Sequence, residues 1–573
     1  MAQTTIGKYL AARLEEIGLK HYFTVPGDYN LTLLDELISN KNMDFVGSCN
    51  ELNAAYSAEG YARANGAAAM ITTFNVGAFS ALNGIASAYA ERQPVIFVCS
   101  APNSNDIFSN RYVHHSLGTH DFHYQYEMIS KVTCAAERIL HAENAPAQID
   151  HAIRTAIRER KPAYIEIPAN LSTELCSAPQ PLLLDAPVGG NTALPMNEAA
   201  LAEAVRAIAD KLNAAEKPVL LAGPHLRSFG AVQAFRKLAE AIGCAVAVSP
   251  NGKGFFPETH PQYIGVYLGK VSSPGCEAII DWSDMVLAAG PLFTDYSTVG
   301  WSMGLPDREK MISVMPWDVQ LPEADFNNLP MAQVLEALVA HVNSNPTTLV
   351  QYNRDNQIGR VVDYEAAPAD ARLTRAEMVR QIEQDVLDAN TTLFAETGDS
   401  WFNGMYMHLP EGAGFEIEMQ YGSIGWSLPA SFGYSMGAGT DRRTVLMIGD
   451  GSFQLTAQEI AKMIEYKQDI TVIVVNNKGY VIESAIHEGP YNYYQNWDYA
   501  GIVSVFNGEN GAGLGLKAAT VGELRDALLT AKDHKGGPVL IECSIEHDDY
   551  TKQLITWGSA VAEANARPKT SKP

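Results

Sequence analysis

The sequence predicts an α/β protein made of three doubly wound parallel-sheet domains. Three observations carry that prediction: short apolar runs recur, each is followed by a helix-like segment, and two other stretches interrupt the rhythm. The runs are 69–73, 94–99, 163–167, 218–222, 244–248, 285–289, 445–448, 471–475 and 539–543. Apolar residues that continue through a run, instead of alternating, suit a strand buried on both faces. Alternation with helices is how neighbouring parallel strands are joined.

The interruptions set the domain limits. Residues 178–197 collect Pro and Gly with little helical periodicity, and 344–370 are polar. Breaks of this kind predict an N-terminal domain over 1–185, a middle α/β domain over 195–345 and a C-terminal domain over 365–573. A chain of 573 residues is in any case too long for one hydrophobic core.

Composition narrows the function classes. Lys and Arg number 41 against 65 Asp and Glu, a formal net charge of −24. A field of that sign repels nucleic acid and anionic membrane surfaces, so neither is expected as a partner. No apolar stretch is long enough to cross a bilayer, and the first ten residues do not lead from a basic start into an apolar run. The seven cysteines are scattered and never form CxxC, which points to reduced thiols in a cytoplasmic protein and to neither zinc nor disulfides.

The segment with the clearest chemistry lies between the strands 445–448 and 471–475. The first strand runs into Gly449-Asp450-Gly451-Ser452, and the second delivers Asn476-Asn477-Lys478-Gly479. Between them a helix is predicted, with Thr456 and Glu459 spaced as a capping box and Ile460, Met463 and Ile464 on one face. Loops following parallel strands open at the same sheet edge, where α/β proteins bind ligands. Glycines beside Asp450 let the backbone approach a phosphate closely. The Asp450 carboxylate, the Asn477 amide oxygen and the Gly479 carbonyl are hard ligands, and with phosphate oxygens they suit octahedral Mg2+. Either half alone reads as an ordinary turn; the ordered pair, with 24 residues between Gly451 and Asn476, reads as an anchor for a metal-bound diphosphate.

That pattern resembles the binding motif of thiamine-diphosphate enzymes. The text around it is similar to the pyruvate decarboxylase family: Glu396-Thr-Gly-Asp-Ser-Trp401, Ile424-Gly-Trp426, Gly489-Pro-Tyr-Asn and Asn496-Trp-Asp-Tyr-Ala-Gly. In the N-terminal region Pro26-Gly-Asp-Tyr-Asn-Leu, Asn50-Glu-Leu-Asn53, Ala58-Glu-Gly-Tyr-Ala-Arg63 and His114-His115 continue it, so the resemblance covers essentially the whole chain. It implies three α/β domains of the thiamine-diphosphate enzyme type: one for the pyrimidine, a middle one, and one for the diphosphate and Mg2+. The activity it implies is non-oxidative decarboxylation of pyruvate to acetaldehyde and CO2.

The resemblance also implies roles. Glu51 matches the glutamate that hydrogen-bonds the cofactor's pyrimidine; without the matching context it would read as a first-turn acid complementing a helix dipole. Ile424 resembles the apolar prop that bends the cofactor, with the Gly422 carbonyl receiving the pyrimidine amino group. Thr397, Gly451, Ser452 and Ile482 complete the implied cofactor contacts beside Asp450 and Asn477. Asp28, His114, His115 and Glu483 match a proton-handling cluster, needed because a carbon must be protonated before acetaldehyde leaves. Tyr296, Trp401, Ile482 and Ile486 match substrate-pocket positions, where bulk favours a small 2-oxo acid.

Asn75 and Ser423 depart from residues common in similar proteins, which puts pocket details in doubt and leaves the reaction class intact. In similar proteins one subunit supplies the Glu51 position and another the Asp450 position. The expectation is therefore a homo-oligomer with its active site between two subunits, a dimer of dimers. The competing expectations are a decarboxylase of a branched-chain or indolic 2-oxo acid, and a catalytically silent, filament-forming relative. Trp401 and Ile486 weigh against the first, and the presence of Glu51, Asp450 and Glu483 against the second.

Overall fold

The computed structural model describes residues 2–107, 109–181, 184, 188, 197–356 and 367–565. Parts of the two expected linkers, 178–197 and 344–370, lie outside the described residues. The chain forms two compact units, one of Met1–Ala193 with Gly425–Arg442 and Thr456–Ile470, the other of Leu194–Ile424, Arg443–Leu455 and Thr471–Pro573.

The first unit is built on a six-stranded sheet in the order Asp44–Gly47, His21–Thr24, Ala68–Thr72, Val95–Ala101, Ala163–Pro168, Ala135–Arg138. Its ladders are all parallel. The central strands Ala68–Thr72, Val95–Ala101 and Ala163–Pro168 are buried at every residue, as continuous apolar runs require. The helix Glu51–Asn65 starts where the Asn50 side chain accepts a hydrogen bond from the Asn53 N–H, and stops at Gly66, which takes φ 89°. This helix packs against Ser427–Ala438 through small residues. A Cβ on Gly60 would stand 1.9 Å from the Ala430 carbonyl oxygen, and one on Gly433 would stand 1.8 Å from that of Ser57. Only glycine permits that approach.

The second unit holds two sheets. One has seven strands in the order Tyr263–Val266, Ala245–Val248, Pro218–Ala222, Met285–Ala289, Met311–Val314, Asp318–Gln320, Asp325–Asn327. Its first five strands pair in parallel and the last two join antiparallel at the edge. The other has six strands in the order Gly414–Glu416, Thr391–Ala395, Arg443–Gly449, Ile470–Asn476, Val539–Ser544, Leu514–Ala518. Arg443–Gly449 and Ile470–Asn476 are therefore adjacent, and they carry the two halves of the diphosphate motif. Among the described residues no helix is long and apolar enough to cross a membrane.

One local expectation is corrected. Helix Asp450–Thr456 begins at Asp450 itself, and a second helix, Glu459–Glu465, follows with Gln458 as its N-cap and no side-chain capping bond. Thr456 and Glu459 form no capping box. The Thr456 hydroxyl donates to the Gly425 carbonyl at 2.7 Å. The Glu459 carboxylate is wholly buried, accepting from Asn53 Nδ2 at 2.8 Å and Ser57 Oγ at 3.3 Å. Both side chains serve tertiary partners, which the local spacing does not reveal. Ile460, Met463 and Ile464 do share the buried face.

Candidate active site

In the C-terminal sheet the strand Arg443–Gly449 is apolar and buried over 445–448, and its chain passes directly into helix Asp450–Thr456. The neighbouring strand ends at Asn476 and turns through Lys478, whose φ of 66° is left-handed. That turn aims the Lys478 N–H at Asp450 Oδ2, 2.7 Å away. Asp450 Oδ1 accepts from the Gly451 N–H at 3.0 Å and the Tyr494 hydroxyl at 2.8 Å. The carboxylate is 1% exposed. Burial pushes it up to about 6 against the opposing pull of those three donors.

Of the residues expected to hold cofactor and metal, Thr397, Ile424, Asp450, Gly451, Ser452, Asn477, Gly479 and Ile482 line one cleft, together with Glu483. The chemistry of this set fits a cation and a phosphate ester. Asn477 Oδ1 and Thr397 Oγ1 are buried there without a hydrogen-bond partner, and a buried polar atom normally has one. A Cβ on Gly479 would stand 3.1 Å from the Asn492 carbonyl oxygen, so the backbone here is packed into place. Gly422, at φ 69°, precedes Ile424 by two residues.

Trp401 and Tyr296 form an aromatic cluster with Trp557. The Tyr296 ring meets Trp401 edge-on at 6.2 Å and Trp557 at 4.8 Å, and Trp557 Nε1 donates to the Tyr296 carbonyl at 3.0 Å. Trp401 is fully buried and Ile486 half-buried at the end of helix Val481–Ile486. Glu483 lies in the first turn of that helix, exposed.

The other expected residues belong to the first unit. Glu51 is the first residue of its helix, and a Cβ on Gly77 would approach its Oε1 to 3.0 Å, so glycine there leaves room for the carboxylate. Asp28 draws His114 and His115 together: His114 Nε2 lies 2.5 Å from Asp28 Oδ2 and His115 Nε2 lies 3.7 Å from Oδ1. All three remain accessible.

Two residues that shape this cluster are not evident from the motif. The Tyr29 ring stacks on His114 at 4.7 Å, with its hydroxyl 3.4 Å from Nδ1. Asn75 donates from Nδ2 to the His115 carbonyl at 2.7 Å and to the Tyr124 hydroxyl at 2.6 Å. Asn75 and His115 both take left-handed backbone angles, φ 51° and 62°. Strain of this kind persists where surroundings fix it, and here the Asn75 N–H is held by buried Gln125 at 2.6 Å. Tyr29 stood inside a recognisable motif; a positive φ at Asn75 leaves no mark on a sequence.

The arrangement offers a buried carboxylate with an unpartnered amide oxygen for a cation and diphosphate, and an open carboxylate–imidazole group for moving protons. Three family profiles match the chain. That of the thiamine pyrophosphate enzyme N-terminal TPP binding domain covers residues 4–124, that of the central domain 205–342, and that of the C-terminal TPP binding domain 398–543. A probable pyruvate decarboxylase of Schizosaccharomyces pombe is 50% identical over 568 residues, 99% of this chain and 98% of its own. Pyruvate decarboxylase of Neurospora crassa is 47% identical, covering 98% and 97%. Pyruvate decarboxylase 3 of Arabidopsis thaliana is 43% identical, covering 98% and 94%. The chain therefore belongs to the thiamine-diphosphate enzymes, with the three α/β domains of that family, and within them to the pyruvate decarboxylases.

Proposed function

We infer that the chain converts pyruvate to acetaldehyde and CO2 with thiamine diphosphate and Mg2+. The observation that carries this reading is the Asp450 cleft, with its unpartnered Asn477 Oδ1, in a chain matched nearly end to end by pyruvate decarboxylases. Thiamine diphosphate supplies, when bound, a nucleophilic carbon and a place to hold the electrons that CO2 leaves behind.

Asp450, Asn477 and the Gly479 carbonyl hold the ion, and Gly451 and Ser452 take the diphosphate. Thr397, Gly422, Ile424 and Ile482 hold and orient the rest of the cofactor. Glu51 would hydrogen-bond the pyrimidine of the bound cofactor. Asp28, His114, His115 and Glu483 carry protons to and from the substrate, and the contact between His114 Nε2 and Asp28 Oδ2 gives that traffic its first link. Tyr296, Trp401 and Ile486, with Ile482, limit the length of the 2-oxo acid. One subunit supplies Glu51 and its partner Asp450, so the smallest active species is a dimer and the expected assembly is a dimer of dimers. A reducing, cytoplasmic setting suits seven cysteines that are all free thiols. The N-terminal, middle and C-terminal domains span 1–185, 195–345 and 365–573.

The test is a substrate series. Purified protein with thiamine diphosphate and Mg2+ is given pyruvate, 2-oxoisovalerate and phenylpyruvate, and aldehyde is followed through a coupled dehydrogenase. Pyruvate should give the highest kcat/KM. Aldehyde from none of them would refute the activity, and a faster larger acid would refute only the substrate.

A further inference from the structure

The Asp450 carboxylate is not free to turn. Each of its oxygens can accept about two hydrogen bonds. On Oδ1 both places are taken, by the Gly451 N–H at 3.0 Å and the Tyr494 hydroxyl at 2.8 Å. On Oδ2 the Lys478 N–H takes one place and leaves the other.

Tyr494 is firmly placed for this contact. Its ring packs on that of Tyr480 with centroids 4.7 Å apart. The segment carrying it is pinned where the Tyr480 N–H donates to the Asn492 carbonyl at 2.9 Å. A second pin is Gln454 Nε2, which donates to the Gln495 carbonyl at 2.9 Å. The glycine after Asp450 makes room for both rings. A Cβ on Gly451 would stand 2.4 Å from Tyr480 Cε1 and 2.5 Å from the Tyr494 hydroxyl. Residue 451 must therefore be glycine for the tyrosines, independently of any phosphate.

From these contacts we propose that Tyr494 is a positioning residue that makes Asp450 a one-oxygen ligand through Oδ2 and so sets a preference for Mg2+ over Ca2+. The inference rests on the metal role of Asp450 given above. Mg2+ requires near-octahedral geometry at about 2.0–2.1 Å and accepts single carboxylate oxygens, whereas Ca2+ sits at about 2.3–2.6 Å and readily takes both. A hydroxyl bonded to Oδ1 opposes two-oxygen chelation.

The test compares full-length Tyr494→Phe with the parent. Each protein, stripped of metal and given excess thiamine diphosphate, is titrated with Mg2+ and separately with Ca2+ in a calorimeter. The ratio of the two dissociation constants is the readout. Partners of this outer kind are worth about 10–100-fold in metal affinity. Tyr494→Phe should therefore weaken Mg2+ by about 10-fold, with Ca2+ unchanged or tighter. Tyr493→Phe, which removes a hydroxyl bonded to Glu488 instead, should keep the parent's ratio. A ratio in Tyr494→Phe equal to the parent's, or equal losses for both ions, would overturn the proposal while leaving the metal role of Asp450 standing. A parent that takes up neither ion with thiamine diphosphate present would overturn both.

Discussion

Asp450 is 1% exposed and accepts bonds from three donors, while Asp28 is half exposed and meets two histidines of one loop. The first carboxylate is fixed by two backbone N–H groups and the Tyr494 hydroxyl, directly after a strand of a parallel sheet. The histidines that meet the second are held by a stacked ring and by left-handed turns at Asn75 and His115. A group that holds a divalent ion benefits from a rigid, dry position, because its charge is to stay in one place. A group that passes protons needs reach and access to the reacting atoms. The contrast follows from the two tasks proposed for these residues.

The largest effect should come from breaking the rigid member. Asp450→Ala should weaken Mg2+ and thiamine diphosphate together by more than about 100-fold, beyond what an outer partner is worth. Calorimetric titration of the metal-free protein measures it, and tight cofactor retention would contradict the assigned role. Among the proton-handling residues, Glu51→Gln should slow turnover by about 10^2–10^4-fold, the range of general acid–base catalysis. Cofactor binding should survive that change. Equal losses of binding and turnover would erase the distinction between anchoring and proton-handling residues.

A smaller effect concerns pH and the buried Glu459 beneath the Glu51 helix. Burial pushes its carboxyl up to about 7, against hydrogen bonds from Asn53 and Ser57. Its folded-state value thus exceeds the unfolded one. The folded protein binds the extra proton between about pH 4.5 and 7, so stability falls as pH rises through that window. The cost of the charged form above it is of the order of 3 kcal/mol. Glu459→Gln should flatten this slope in chemical denaturation measured from pH 5 to 8. A parent as stable at pH 8 as at pH 5, with no difference in the variant, would show that Glu459 does not titrate on its own.

Much of this molecule is legible in its sequence. The runs 69–73, 163–167, 218–222, 285–289 and 539–543 coincide with strands to within one or two residues, because each is mostly apolar and buried on both faces. The strand Ala135–Arg138 is different: it ends in Glu and Arg, is half-buried and lies at an edge, so no apolar run marks it. Thr456 and Glu459 misled for a related reason. Their spacing suits a local cap, but a buried acid finds its partners on the helix Glu51–Asn65, some 400 positions earlier in the chain.

The sequence alone therefore determined the α/β class, the placing of Asp450 and Asn477 directly after consecutive buried strands, and, by resemblance, the family. The first two follow from periodicity and spacing, which are local. Tertiary structure decided which oxygen of Asp450 stays open, that Tyr494 and Lys478 hold the other contacts, and that Asn75 and Tyr29 shape the histidine pair. Those contacts join residues 28 to 85 positions apart through backbone angles and ring stacking, and short-range patterns in a sequence do not encode distances across a fold.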